Sequence, residues 1–388
     1  MISTKKASIA VAVFFALIII TDFHYKIIAR FDIEMVKLTL PIKLLIGVFL
    51  GYYMIAKKLL DKKDLIYLGL FGVVILLGLA FQNQWHFNEE LYIIAQYVFG
   101  IMVFLFFFKS RSNLDLSTLE KTLQLLLWIN FWCIVLAMVF DLQIFRTYTG
   151  VRFGYNGLLK STSTASYFYM FSVLYLLVKK DKSKHSKWLL LITILSALLV
   201  GSKTLFAFVA IVCIVYVLRY INQRQRYVNS AIFYMISAAI LMVLGLYLFV
   251  PLISLNKTLH EVLIYDGVVS AFFSHRDEHV VNALSDMITN YDVSNYLFGG
   301  LSEITRLTEV AVVDIFLVFG VVGTVVFFML FFKNLPYIND VILKTFIIVI
   351  FCFIMLRGNF FYFPSVIYLA LAIFTLTLNH DRNQKHAI

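Results

Sequence analysis

Long apolar runs separated by short polar turns set the pattern of this chain. The runs fall at residues 7–21, 38–56, 65–81, 91–108, 122–140, 162–178, 188–201, 204–218, 228–253, 309–332, 341–356 and 360–377. A helix needs roughly 20 residues to cross a hydrocarbon core about 30 Å thick. Most of these runs are apolar on every face, as a helix surrounded by lipid or by other helices should be. The pattern predicts an all-α polytopic membrane protein of about twelve transmembrane helices. Apolar residues make up 62% of the chain and mean hydropathy is +0.90, well outside the range of soluble domains. The 39 phenylalanines are expected to supply lipid-facing bulk.

One pair of runs is unusual. Residues 188–218 lie between two basic stretches, Lys179 to Lys187 and Arg219 to Arg226, with Gly201-Ser202-Lys203-Thr204 in the middle. Basic loops stay in the cytoplasm, so the chain must leave and return, and Lys203 marks the outer tip of a helical hairpin. Each arm reaches only about 21 Å at helical rise, which holds Lys203 at or just below the outer surface. A lysine deep in a bilayer costs about 2.5–3.5 kcal/mol and is a functional-site candidate; a lysine snorkelling from a turn is the plain alternative.

Charge then orients the chain. Placing both termini in the cytoplasm puts most lysines and arginines on that side, including Lys57, Lys58, Lys62, Lys63, Lys109 and Arg111. The N-terminal Lys5-Lys6 and the apolar run after it imitate a signal peptide, but only Thr21-Asp22-Phe23-His24 follows, so a retained first helix is expected. The whole of 1–388 reads as one membrane domain with a single long extracytoplasmic loop, 254–308. Within it Val280, Val281, Leu284, Met287 and Ile288 recur at helical spacing behind Ser274 and Asp277, which predicts an amphipathic helix over the outer mouth of the bundle.

Chemistry is narrowed by what the sequence lacks: no phosphate-binding glycine loop with Lys-Ser/Thr, no His-Glu-x-x-His, no Cys-x-x-Cys and no arginine ladder. Cys133, Cys213 and Cys352 lie inside apolar runs and read as packing residues. His275 and His279 lack further ligands nearby, so no metal and no cofactor is expected. The net charge of +11 follows the topology rather than forming a nucleic-acid patch. Against the topological bias, Arg146, Arg152, Lys160, Lys203, Lys257, Arg276, Arg306 and Arg357 stay outside. Such cations suit a lipid-linked pyrophosphate at the membrane surface, where arginine's planar fork holds phosphate oxygens and stabilises charge developing on a leaving group. The candidate catalytic carboxylates are Glu309, Asp314 and Asp277, with Glu278 in competition. Asp314, about one turn inside a span, is either paired with Lys203 or Arg306 or kept neutral by burial.

Taken in order, these pieces resemble the O-antigen polymerase and O-antigen ligase superfamily, the Wzy-type polymerases of bacterial surface polysaccharides. The hairpin Leu199-Val200-Gly201-Ser202-Lys203-Thr204 is similar to the family's small-Ser-basic turn, and Ser274-His275-Arg276 to its Ser-x-Arg. Tyr296-Leu297-Phe298-Gly299-Gly300, Glu309 to Asp314, and Gly320-Val321-Val322-Gly323 complete the likeness across roughly 150–332. The resemblance implies a metal-independent, GT-C-like fold. It further implies transfer of a glycan from undecaprenyl pyrophosphate at the outer face of the bacterial plasma membrane. Implied partners are lipid-linked oligosaccharide repeat units and membrane lipids, with a chain-length regulator and a flippase alongside. By position, Lys203 and Arg276 would hold the pyrophosphate, with Arg152, Arg306 and Arg146 as helpers. The His-Asn-x-x-Leu of many ligases is replaced by Glu309-Val310-Ala311-Val312, which favours polymerase over ligase. A twelve-span lipid-linked-oligosaccharide flippase is the rival from another class.

Overall fold

A computed structural model of the chain describes residues 3–36, 38–81, 87–148, 152–179, 183–224, 257–273, 276–300, 307–338, 340–357 and 360–385. Among them the chain is helical throughout and forms no strand. The helices are α1 Thr4–Phe31, α2 Thr39–Ala56, α3 Lys62–Ala80, α4 Phe87–Ser110, α5 Ser117–Phe140, α6 Thr162–Val178, α7 Lys184–Leu199 and α8 Lys203–Arg224. They continue as α9 Lys257–Tyr265, α10 Gly267–Phe273, α11 Arg276–Asn290, α12 Val293–Phe298, α13 Ala311–Asn334, α14 Val341–Arg357 and α15 Pro364–Lys385. Six, α1 to α5 and α13, are long and apolar enough to cross a membrane, and shorter apolar helices accompany them. The run at 228–253 lies outside the described residues.

Local chemistry starts several helices. Ser3, Ser161 and Ser183 each accept a backbone N–H three residues on, at α1, α6 and α7. Asp61 and Asp64 form a reciprocal capping box at α3.

At the centre stand α6 and α15, whose described residues are almost all buried; they pack against each other, α15 also against α4 and α1, and α6 against α7. Tyr368 of α15 donates to Val11 O of α1 at 3.1 Å, and Ser365 donates to Asp22 at 3.0 Å. Phenylalanine behaves differently from the expectation of lipid-facing bulk. Phe15, Phe104, Phe106, Phe107, Phe168, Phe208, Phe319, Phe327, Phe360 and Phe361 are buried. Phe104 stacks on Phe331 at 4.3 Å, and Phe327 meets Phe361 edge-on at 5.2 Å. Lipid is as apolar as a side chain, so interlocking rings, not escape from water, hold such helices together. The cysteines also depart from the packing role: Cys213 and Cys352 are exposed on their helices and Cys133 is half-buried.

Two features fix α13. Well inside it, Gly320 has φ 63° and breaks the helical backbone, a conformation that suits glycine. A Cβ there would collide with Gly299 N and Leu297 C and O, so the end of α12 is seated backbone-to-backbone in the kink. At the far end Lys333 reaches Asp61 and Asp64, both at 2.7 Å. Lys109, closing α4, reaches Asp64 at 2.6 Å and Asp61 at 3.1 Å. Two cations and two carboxylates thus clasp three helices.

The amphipathic helix expected in the outer loop exists as α11, but its faces are reversed in part. Ala283 and Met287 point inward with Arg276 at the start, whereas Val281, Leu284 and Ile288 are exposed. Inward packing follows the row 276, 280, 283 and 287, leaving the row 281, 284 and 288 outside.

Candidate functional site: a cationic cluster at the α7–α8 hairpin

Helices α7 and α8 are joined by a tight turn at Val200-Gly201-Ser202, which puts Lys203 at the first position of α8, the tip that the charge pattern predicted. The connection from α5 to α6 folds onto this turn. Tyr155 N donates to Leu199 O at 2.7 Å, and Thr147 Oγ1 donates to Val200 O at 3.0 Å. Gly201, at φ 70°, allows the approach: a Cβ there would strike Phe153 O. The result sets Arg152 beside Lys203, with its guanidinium 3.8 Å from the centre of the Tyr148 ring. Arg152 Nε is buried and has no hydrogen-bond partner among the described residues.

Three further chain segments complete the cluster. Lys203 Nζ donates to Ala271 O of α10 at 2.5 Å. Arg276, opening α11, sends Nε and Nη2 to the same oxygen of Glu309, Oε2, at 3.0 and 2.9 Å. Arg357, ending α14 and only 7% exposed, donates from Nη1 to Ser202 Oγ at 3.2 Å, and Ser166 Oγ of α6 meets the same hydroxyl at 3.2 Å. Electrostatic neighbours tie the set together: Lys203 is near Arg152 and Arg276, and Arg357 is near Arg276, Glu309 and the hydroxyls of Tyr148 and Tyr167. Four cations from four parts of the chain therefore converge, with Glu309 paired to Arg276 and with Asp277 and Glu278 in the first turn of α11. The first turns of α8 and α11 add partial positive charge in the same place. Such an arrangement is built to hold an anion.

The other expected residues divide. Glu309 precedes α13 and takes a left-handed backbone, φ 62°, rare for a side chain of this kind. Asp314 does not pair with Lys203. Its Oδ1 accepts from Thr308 N and Thr308 Oγ1, both at 2.7 Å, and Thr308 Oγ1 in turn accepts from Val310 N at 3.2 Å. The buried carboxylate is satisfied by the loop that carries Glu309 rather than by a cation. Asp277 Oδ2 accepts from Ser270 at 2.5 Å, while its Oδ1 is buried without a hydrogen-bond partner. Arg146 turns from the cluster to an ion pair with Asp141, and its carbonyl accepts from Arg30 at 2.9 Å. Arg306 and His275 lie outside the described residues. Sequence reasoning placed Arg357 among the outer cations but gave it no part in the site. Its burial against Ser202, 155 positions earlier, is what recruits it.

No family model matches the chain, and no curated protein or solved structure matches it. The family likeness stands on the motifs alone.

Proposed function

We propose that this protein is a polysaccharide polymerase of the O-antigen or capsule type. It transfers a growing glycan from undecaprenyl pyrophosphate onto a lipid-linked repeat unit at the outer face of the bacterial plasma membrane. In this reading the chain spans the membrane about twelve times in a GT-C-like arrangement with both termini in the cytoplasm. Lys203, Arg276, Arg357 and Arg152 hold the donor's pyrophosphate and offset the charge it gains on leaving. Glu309 receives the proton of the acceptor hydroxyl, and Asp314 holds the loop that aims it. The observation that carries the reading is the convergence of four cations from separate segments on the α7–α8 turn. A pyrophosphate headgroup carries two or more negative charges and could engage several of them at once.

The experiment is a deletion strain complemented with wild type, Lys203→Ala or Arg276→Ala, read as a polysaccharide ladder. Wild type should restore long chains, and each variant, at normal protein level, should leave a single capped repeat. Full-length chains from both variants would remove the cluster from catalysis. The second reading, a lipid-linked-oligosaccharide flippase, draws on the buried charges Asp22 and Lys26 along one face of α1. A flippase deletion would trap lipid-linked repeats inside the cell, whereas loss of a polymerase leaves them unpolymerised outside.

A further inference from the structure

Within the cluster, one contact is arranged as a bound ligand would be. Glu309 Oε2 accepts both N–H groups of the Nε–Nη2 edge of Arg276, which converge on this one anionic oxygen as they could on an oxygen of a phosphate. The glutamate is held there against its backbone preference, at φ 62°, by the Thr308–Asp314 hydrogen bonds on either side. It is also 39% exposed at the side chain, so it can leave without unpacking the core. Around it stand Arg152, Lys203 and buried Arg357, further cations within electrostatic reach of Arg276 or Glu309.

We propose that Glu309 is a built-in placeholder: its carboxylate occupies the diphosphate position on Arg276 and is displaced when a diphosphate binds. The inference rests on the pyrophosphate-binding reading above and adds an order of events to it. A diphosphate brings more charge than one carboxylate and can engage several cations together, so it wins the fork. Displacement then frees Glu309 only when the donor is seated. The freed carboxylate takes the proton of the acceptor hydroxyl while that oxygen bonds to the anomeric carbon. The bond from that carbon to the phosphate oxygen breaks, and the diphosphate leaves with its electron pair. Without donor, the base stays locked in an ion pair, which guards against idle hydrolysis of the lipid-linked chain.

The test uses the full chain in lipid nanodiscs, titrated calorimetrically with inorganic pyrophosphate and separately with a polyprenyl pyrophosphate. The variants are Glu309→Gln and Glu309→Asn; asparagine tolerates the left-handed backbone, so the pair separates loss of charge from loss of fold. Both variants should bind pyrophosphate roughly three- to tenfold more tightly than wild type, the size expected of a partly exposed ion pair, and should make no polymer. In an Arg276→Ala background, Glu309→Gln should change binding by less than about twofold, because the fork it vacates is gone. Equal or weaker binding by both variants, with wild type still binding, overturns the placeholder and leaves the pyrophosphate site standing. No binding by wild type or by either variant overturns the site itself. Tightening for inorganic pyrophosphate but not for the polyprenyl form would overturn the lipid headgroup as the occupant.

Discussion

The two ends of α13 solve opposite problems with the same residue types. At the Lys333 end, two lysines face two aspartates, and every charge has a partner within 3.1 Å. At the Glu309 end, four cations from separate segments crowd together, and Glu309 meets Arg276 from a partly exposed side chain. Balanced charge ties helices together and leaves nothing for a ligand. Cations crowded from several segments repel one another, and in the proposed function an anion would relieve that repulsion. The contrast separates scaffold from site without reference to any relative.

Substitutions at the two ends should therefore move stability and activity in different directions. The largest effect on stability is expected from Asp64→Ala. Its side chain is fully buried between Lys109 and Lys333, and losing it leaves two lysines sharing Asp61 alone, at a cost of about 3 kcal/mol. Thermal unfolding of the purified protein should show a clear drop in Tm, with little folded protein in the membrane fraction. Arg357→Gln should do the reverse. Pyrophosphate affinity should fall roughly tenfold by calorimetry, while Tm holds or rises, because a crowded cation has been removed from a site under self-repulsion. A large loss of Tm would make Arg357 a scaffold residue instead.

Asp314→Asn sits between the two. It keeps the shape of the side chain but weakens a charged acceptor of two hydrogen bonds, so about 1–2 kcal/mol of stability should go, and polymer length should fall as Glu309 loses its aim. The smallest effect is a pH dependence at the clasp. Hydrogen bonding from Lys333 is the main cause holding the Asp61 carboxyl well below the ordinary carboxylate range. A depressed carboxylate stabilises the fold above its unfolded value and loses that contribution as pH falls through its folded value. The Tm difference between wild type and Asp61→Asn should stay constant from about pH 7 to 5 and close only under stronger acid.

Much of this contrast was legible in the sequence. Basic stretches on either side of 188–218 pointed to the Lys203 turn, and the periodicity after Ser274 pointed to α11 with Arg276 at its start. Both signals are local, and local patterns survive being read without a fold. Three things escaped that reading. Arg357 looked like an ordinary span-end cation until the fold buried it beside Ser202. Asp314 has the look of an intramembrane acid in need of a cation, yet Thr308, six residues earlier, satisfies it with a backbone and a side-chain donor. On α11, Val281 and Ile288 fit an apolar stripe as well as Met287 does, and only contacts with the rest of the chain decide which row turns inward. Arg146 is the exception: its partner Asp141 is five residues away, near enough to have been noticed.

The seat of α12 in the α13 kink bears on how such a protein can be recombined. Gly320 and Gly299 touch through main chain alone, leaving no side chain at the joint to trim or enlarge. Swapping the segment that ends in α12 between two proteins of this design without its matching α13 would jam the joint or leave it open. The two pieces have to be exchanged as one cassette.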